Sequence, residues 1–213
     1  MQHALTLDQI VLIERRLKKP YYPRWLLGFS QAEACLRATD PGTRFWHANN
    51  VQLSSLRISQ SIIVGRAIIL AQPMMPLVHP RDLKPQKEAT RFDWLLYGTE
   101  PEMFEIHGGC GFSKKLLHAF SQITYCAARM YQEPESPITP MTAQFLLTEL
   151  ETMRQWSSES CTWTDAQNAP QPIEWIRSAP EGFKVQDHQS MTTVTAEAWR
   201  MAAVIYLQCR ALR

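Results

Sequence analysis

The residues best suited to metal chemistry lie between His107 and His118. His107 and Cys110 form an H-x-x-C pair around a glycine-rich turn, and His118 follows on the next predicted helix. A structural zinc site needs four ligands, usually in two close pairs, and no second cysteine pair accompanies this one. A tight turn with a half-buried Cys110 explains the pattern more simply. We therefore predict no metal ligand and no cofactor in this chain.

Three glutamates beside that turn could act as paired carboxylates in acid–base catalysis. Glu100, Glu102 and Glu105 lie close together in the sequence, and such pairs perform general acid–base catalysis in many enzymes. Glutamates in the first turn of a helix also complement the helix dipole, and we favour that explanation. The order of Ser, His and Asp residues selects no catalytic triad, and no metalloprotease or dinucleotide-binding motif occurs. The sequence thus predicts no catalytic residue, and a small helical enzyme is the weakest alternative.

An anion-binding loop is the third chemical possibility. The stretch GGCGFSKK brings Lys114 and Lys115 to the start of a predicted helix, and helix N-termini favour anions. The stretch departs from a P-loop because Ser113 stands where the second glycine is required. Most glycine turns of this kind hold only water, so the sequence assigns no ligand-binding residue.

The charge of the chain argues against nucleic acid as a direct partner. The formal net charge is only +2, whereas strong nucleic-acid binders usually carry a basic excess or stripe. The basic run RRLKK, residues 15–19, ends a predicted helix. Basic side chains at that position commonly complement the helix dipole. We predict no direct binding of nucleic acid by this chain.

The elements that must position these residues are predicted to be helices. Hydrophobic residues recur at helical spacing almost throughout, and no segment alternates cleanly enough for a strand. The pattern predicts an all-α bundle of about six main helices around one core. Predicted helices cover Thr6–Lys19, Pro23–Arg37, Asn50–Ala71, a short helix in the RFDWLLYG stretch, a helix capped by Ser113 and ending near Tyr131, a helix capped by Thr139 and ending at Trp156, and a final helix from about Thr195.

The length and the loop composition indicate one domain. The 213 residues fit a single helical domain, 1–213. Four prolines between residues 72 and 88 predict a mobile loop, since long loops are often functional. Residues 157–190 are polar and rich in turn formers, with one helical turn predicted at 173–177. The seven tryptophans favour core packing, and a cavity or interface lined by aromatic residues is the alternative.

The cysteine pattern indicates a reducing compartment. The chain has five cysteines, and their spacing forms no close pair, which argues against a disulfide framework. The N-terminus lacks the charged start and long apolar run of a signal peptide. The longest apolar stretches are too short to cross a bilayer. We expect a soluble intracellular protein.

Three ordered stretches resemble the regulatory domain of fungal zinc-cluster transcription factors. The closing stretch, TAEAWRMAAVIYLQCRALR, is similar to the final helix motif of that family. The stretches RWLLGFSQAEACLR and WLLYGTEPEMFEIHGGCGFSKKLLHAFSQIT are similar to its earlier and middle segments. The resemblance covers roughly residues 24–213, and the closing motif is its most specific part. It implies that the terminal helix is the central, buried helix of the domain.

The chain departs from the family in one respect. The paired-cysteine cluster that holds two zinc ions and reads DNA in the family has no counterpart among its five cysteines. The resemblance therefore implies a nuclear, effector-responsive or dimer-supporting domain, a partial one, that controls transcription without its own DNA-binding module. Zinc is expected only in that missing module. Implied partners are a second copy, a related transcription factor, the transcription machinery and a small-molecule effector in a helical cavity near the loop at 72–88.

A stand-alone interaction module is the main alternative. An apolar terminal helix that ends the chain would expose hydrophobic surface, which commonly marks association. Such a module would pair with a full-length relative and modulate it.

Overall fold

The computed structural model describes residues 24–40, 42, 54–72, 84, 87 and 90–212. The predicted N-terminal helix at Thr6–Lys19 and most of the proline-rich loop lie outside these residues. The described part is predominantly helical, which confirms the predicted all-α fold. Its elements are, in chain order, α1 (Arg24–Ala38), α2 (Ser55–Ala71), a 3-10 turn (Asp93–Leu95), α3 (Glu100–Phe104), β1 (Ile106–His107), β2 (Phe112–Ser113), α4 (Lys114–Gln132), α5 (Ile138–Thr152), α6 (Trp163–Asn168), α7 (Pro172–Ser178) and α8 (His188–Ala211).

Helix α4 lies at the centre of the domain. It packs against α2, α5 and α8, and its buried side chains include Leu116, Leu117 and Ile123, which are almost completely inaccessible to solvent. Each such burial contributes about 1.5–3 kcal/mol to folding. Ser113 caps the helix as predicted, because its hydroxyl accepts a hydrogen bond from the Leu116 amide at 3.3 Å. Helix α4 therefore anchors the core, and its cap at Ser113 fixes the start of the helix at Lys114.

A buried carboxylate joins α1 to the segment that precedes the 3-10 turn. Glu33 is buried and accepts hydrogen bonds from Arg91 at 2.7 and 3.0 Å. Arg37, one turn further along α1, donates to the same carboxylate at 2.7 Å. A buried carboxylate is stabilised only when it is paired and hydrogen-bonded, and this one is.

The terminal helix α8 differs from its prediction in start and in burial. It begins at His188, where the Asp187 side chain accepts from the Ser190 amide at 2.7 Å, so it starts about two turns before Thr195. Leu207 is fully buried, but Ile205 is 56% exposed. Helix α8 packs against α4, α5, α7 and β2, but among the described residues the side chains of Ala202, Ile205 and Gln208 are exposed, so the prediction of a central, buried final helix was wrong. That position belongs to α4.

Four other local predictions need correction. Helix α5 starts at Ile138 after Pro137 and ends at Thr152, so Thr139 lies inside the helix instead of capping it. The polar segment 157–190 contains the helical turn predicted at 173–177, which lies in α7, and also a second short helix, α6, that was not predicted. The turn after α3 closes a two-residue antiparallel hairpin, β1–β2, which is too short for strand alternation to reveal. The predicted helix within RFDWLLYG is a 3-10 turn of three residues.

Candidate functional site

A pocket of about 260 Å³ lies where α2, α3, β1 and the start of α4 meet. Two isoleucines of α2 form an apolar part of its wall, and the charged groups come from α3, from the residue after it and from α4. Its described lining consists of Ile58, Ile62, Tyr97, Gly98, Glu102, Glu105, Ile106, His107, Gly108 and Lys114.

The cationic group of the pocket is Lys114, the first residue of α4. Its side chain is 92% buried, since only 8% of its surface is exposed. The ammonium donates a hydrogen bond of 2.7 Å to the backbone carbonyl of Tyr97. Burial lowers the pKa of Lys114 to about 8, and the nearby carboxylates of Glu102 and Glu105 oppose that change. The ammonium is therefore mostly charged at neutral pH, in a place where charge is unfavourable.

Two carboxylates line the same pocket. Glu102 forms a capping box at the start of α3, since its carboxylate accepts from the Thr99 amide at 2.6 Å and from the Thr99 hydroxyl at 3.0 Å. A side chain at Gly98 would meet this carboxylate, because an added Cβ would lie 2.6 Å from Oε2 of Glu102, and Gly98 has a φ of +96°. The hydroxyl of Ser158 donates to one oxygen of Glu105 at 2.6 Å.

His107 completes the polar lining of the pocket. Burial lowers the pKa of its imidazole, and the nearby Lys114 ammonium lowers it further, while Glu105 raises it. Its Nδ1 atom is buried and has no hydrogen-bond partner among the described residues. His107 is therefore neutral at neutral pH and leaves the pocket with one ammonium and two carboxylates.

The residues considered for zinc do not come together. His107 and Cys110 share the hairpin, but His118 lies on α4 with Nε2 3.7 Å from the carboxylate of Asp93. Burial raises the pKa of Cys110 to about 11, so its thiol is protonated and is a poor ligand. Among the described residues, no group of three or more His, Cys, Asp or Glu side chains could hold a metal ion.

The two lysines of the GGCGFSKK stretch have separate roles. Lys114 points into the pocket, as described, whereas Lys115 forms an ion pair of 2.6 Å with Glu149 of α5. Glu100, the third of the clustered glutamates, is exposed in the first turn of α3 and is not part of the described pocket lining. The helix-dipole explanation therefore applies to Glu100 and Glu102, which lie in the first turn of α3. Glu105 follows the helix and lines the pocket, a position that the sequence did not indicate.

Most of the described aromatic side chains pack against one another. Trp94 is almost completely buried, and Trp199 lies 5.0 Å from Phe112, measured between ring centroids. Tyr97 is the one aromatic residue in the described lining of the pocket. The core-packing interpretation is correct for Trp94 and Trp199, and no tryptophan belongs to the described lining of the pocket.

Comparison with known proteins identifies the family. The family model of the fungal specific transcription factor domain matches residues 23–213. No curated protein and no solved structure gave a match. Within the described residues, every helix is too short or too polar to cross a bilayer. Because the match covers nearly the whole chain, this protein belongs to the fungal specific transcription factor domain family and is a member of a family of transcription regulators.

Proposed function

We propose that the chain is an effector-responsive regulatory domain that controls transcription in the nucleus. The observation that carries the proposal is the pocket, because a buried ammonium and two carboxylates line a small cavity in a transcription factor domain. Buried polar groups that converge in a concave site are typical of ligand binding. The role is regulation, not catalysis.

The DNA-binding function belongs, in this proposal, to another module. The five cysteines are free thiols and are spread along the sequence without close pairs. Their thiols have no role in holding zinc in this proposal. Sequence-specific DNA contact is then supplied by a separate zinc-cluster segment or by a protein partner.

The test is a transcription reporter in yeast. The chain is fused to an unrelated DNA-binding domain, and the reporter output is expected to change about fivefold or more between growth media, as effector coupling usually does. Ile58→Trp fills the pocket and should hold the output at one level. Leu56→Trp is the matched control, since Leu56 lies on the same helix but is 66% exposed.

Two results would contradict this function. The output could stay constant in every medium although the fusion is expressed, or Ile58→Trp could respond as fully as the wild type. The chain without the fusion partner should give no output, because in this proposal recognition of DNA belongs to another module.

A protein-interaction module is the second candidate, favoured by one surface of α5. Ile138, Met141 and Phe145 share a helix face and are 71%, 72% and 73% exposed, and such apolar patches commonly mark association. In this alternative the face pairs with a full-length relative of the chain. Sedimentation of the two proteins together should then give a complex that Phe145→Glu abolishes. Two separate monomers would eliminate the alternative.

A further inference from the structure

The ammonium of Lys114 is short of partners. It has three donor hydrogens, and among the described residues only the Tyr97 carbonyl accepts one. Glu102 and Glu105 act on it through space, without an ion pair. A charge that is 92% buried is costly unless it is paired and fully hydrogen-bonded. A ligand carboxylate would supply both the charge and the missing acceptors.

The two carboxylates make a simple anion a poor ligand. With His107 neutral, the described lining carries two negative charges against one positive charge. An anion would satisfy Lys114 and be repelled by Glu102 and Glu105, whereas a cation would be attracted to the glutamates and repelled by Lys114. A ligand that carries both charges satisfies the ammonium and the carboxylates together. Glu105 is the better placed glutamate, because it is half-buried and accepts a hydrogen bond only from Ser158 among the described residues, whereas Glu102 is exposed and already caps α3.

The apolar part of the wall defines the remainder of the ligand. Ile58 and Ile62 are four residues apart on α2 and therefore lie on one helix face, and both line the pocket. The volume of 260 Å³ is below the range of about 300–1,000 Å³ that is usual for drug-sized ligands. The ligand is thus small, with an aliphatic end that packs against the two isoleucines.

We propose that this pocket binds an aliphatic α-amino acid, with its carboxylate on Lys114 and its ammonium on Glu105. The proposal deepens the regulatory function above, since the amino acid would be the effector. Binding of the amino acid would hold α2 against α3 and the start of α4, because its charged and apolar ends contact different elements.

Titration calorimetry on the purified full chain tests the proposal with a matched set of probes. L-Leucine should bind. 4-Methylpentanoic acid lacks its amino group and 3-methylbutylamine lacks its carboxylate, so each should bind at least tenfold more weakly, as loss of one charge-assisted contact predicts. L-Isoleucine and L-valine extend the set to other aliphatic side chains.

Variants assign the two contacts. Lys114→Met should abolish detectable binding of L-leucine, and Glu105→Gln should weaken it at least tenfold. The controls Lys184→Met and Glu100→Gln remove the same charges at exposed positions and should bind as the wild type does. Circular dichroism confirms that each variant is folded before it is titrated.

Several results would overturn the proposal. These are an absence of heat with all three amino acids at millimolar concentration, equal binding of the deaminated acid, or unchanged binding to folded Lys114→Met. The reporter separates this failure from failure of the regulatory function. A reporter that responds to the medium without amino-acid binding refutes only the ligand class, and amino-acid binding without any reporter response refutes only the regulatory function.

Discussion

Replacing Arg200 by methionine is expected to lower the free energy of unfolding by about 3–5 kcal/mol, the usual cost of breaking a buried ion pair. Arg200 is 3% exposed and its partner Glu197 is 4% exposed. Two hydrogen bonds join them, from Nη2 to Oε1 at 2.6 Å and from Nε to Oε2 at 2.8 Å. Methionine would leave the Glu197 carboxylate buried and uncompensated.

The same arginine also connects two helices. Its Nη1 donates to the carbonyl of Leu150 at 2.8 Å, in the last turn of α5. Carbonyls in that turn have no partner within their own helix, so Arg200 of α8 satisfies one that would otherwise be buried and unpaired. The substitution therefore removes an ion pair and a contact between α5 and α8.

Urea denaturation of the wild type, Arg200→Met and Arg210→Met measures this effect. Arg210 is exposed near the end of the same helix, so its loss should cost no more than about 1 kcal/mol. The double variant Glu197→Leu, Arg200→Met should recover much of the lost stability, because no charge is then left unpaired. A cost below about 1 kcal/mol for Arg200→Met would show that the ion pair contributes little.

The surroundings of Glu197 show why the sequence correctly predicts helix α8 but not the residue at which this helix begins. The apolar run of α8 identifies the helix, but the polar residues between His188 and Thr195 suggest a loop. With the start placed at Thr195, Glu197 would be a solvated residue of the first turn. The helix actually starts at His188, so Glu197 lies in its interior and needs a buried partner. The closing stretch that resembles the family contains both Glu197 and Arg200, but the resemblance did not predict that their side chains form an ion pair.

Local chemistry explains which other predictions succeed. Ser113 was identified because a serine before an apolar run can cap a helix by itself, and it does. The pocket could not be identified in that way, because its walls are brought together only by folding. Ile58 and Lys114 are far apart in the sequence, yet both line the pocket. Lys114 looks like an ordinary surface lysine at a helix start, and only the packing of the hairpin and α2 over it makes it a buried cation.

The burial of Lys114 also predicts an unusual dependence of stability on pH. Its pKa is about 8 in the folded protein and 10.5 in the absence of burial. Between these values the unfolded chain binds the proton and the folded chain does not, so the free energy of unfolding rises with pH. The interval corresponds to about 3 kcal/mol. This direction is opposite to that of a lysine that gains an ion pair on folding.

Comparison with Lys114→Met isolates this contribution. The buried thiols of Cys110 and Cys126 have pKa values raised to about 11, so their titration lowers stability at high pH, but it does so in both proteins and cancels in the difference. Urea denaturation from pH 7.5 to 10.5 should show the wild type gaining about 3 kcal/mol relative to the variant. Parallel curves would mean that the Lys114 ammonium is not buried in solution. Because a bound carboxylate would stabilise that ammonium and raise its pKa, L-leucine should also reduce the pH dependence of the wild type and leave that of Lys114→Met unchanged.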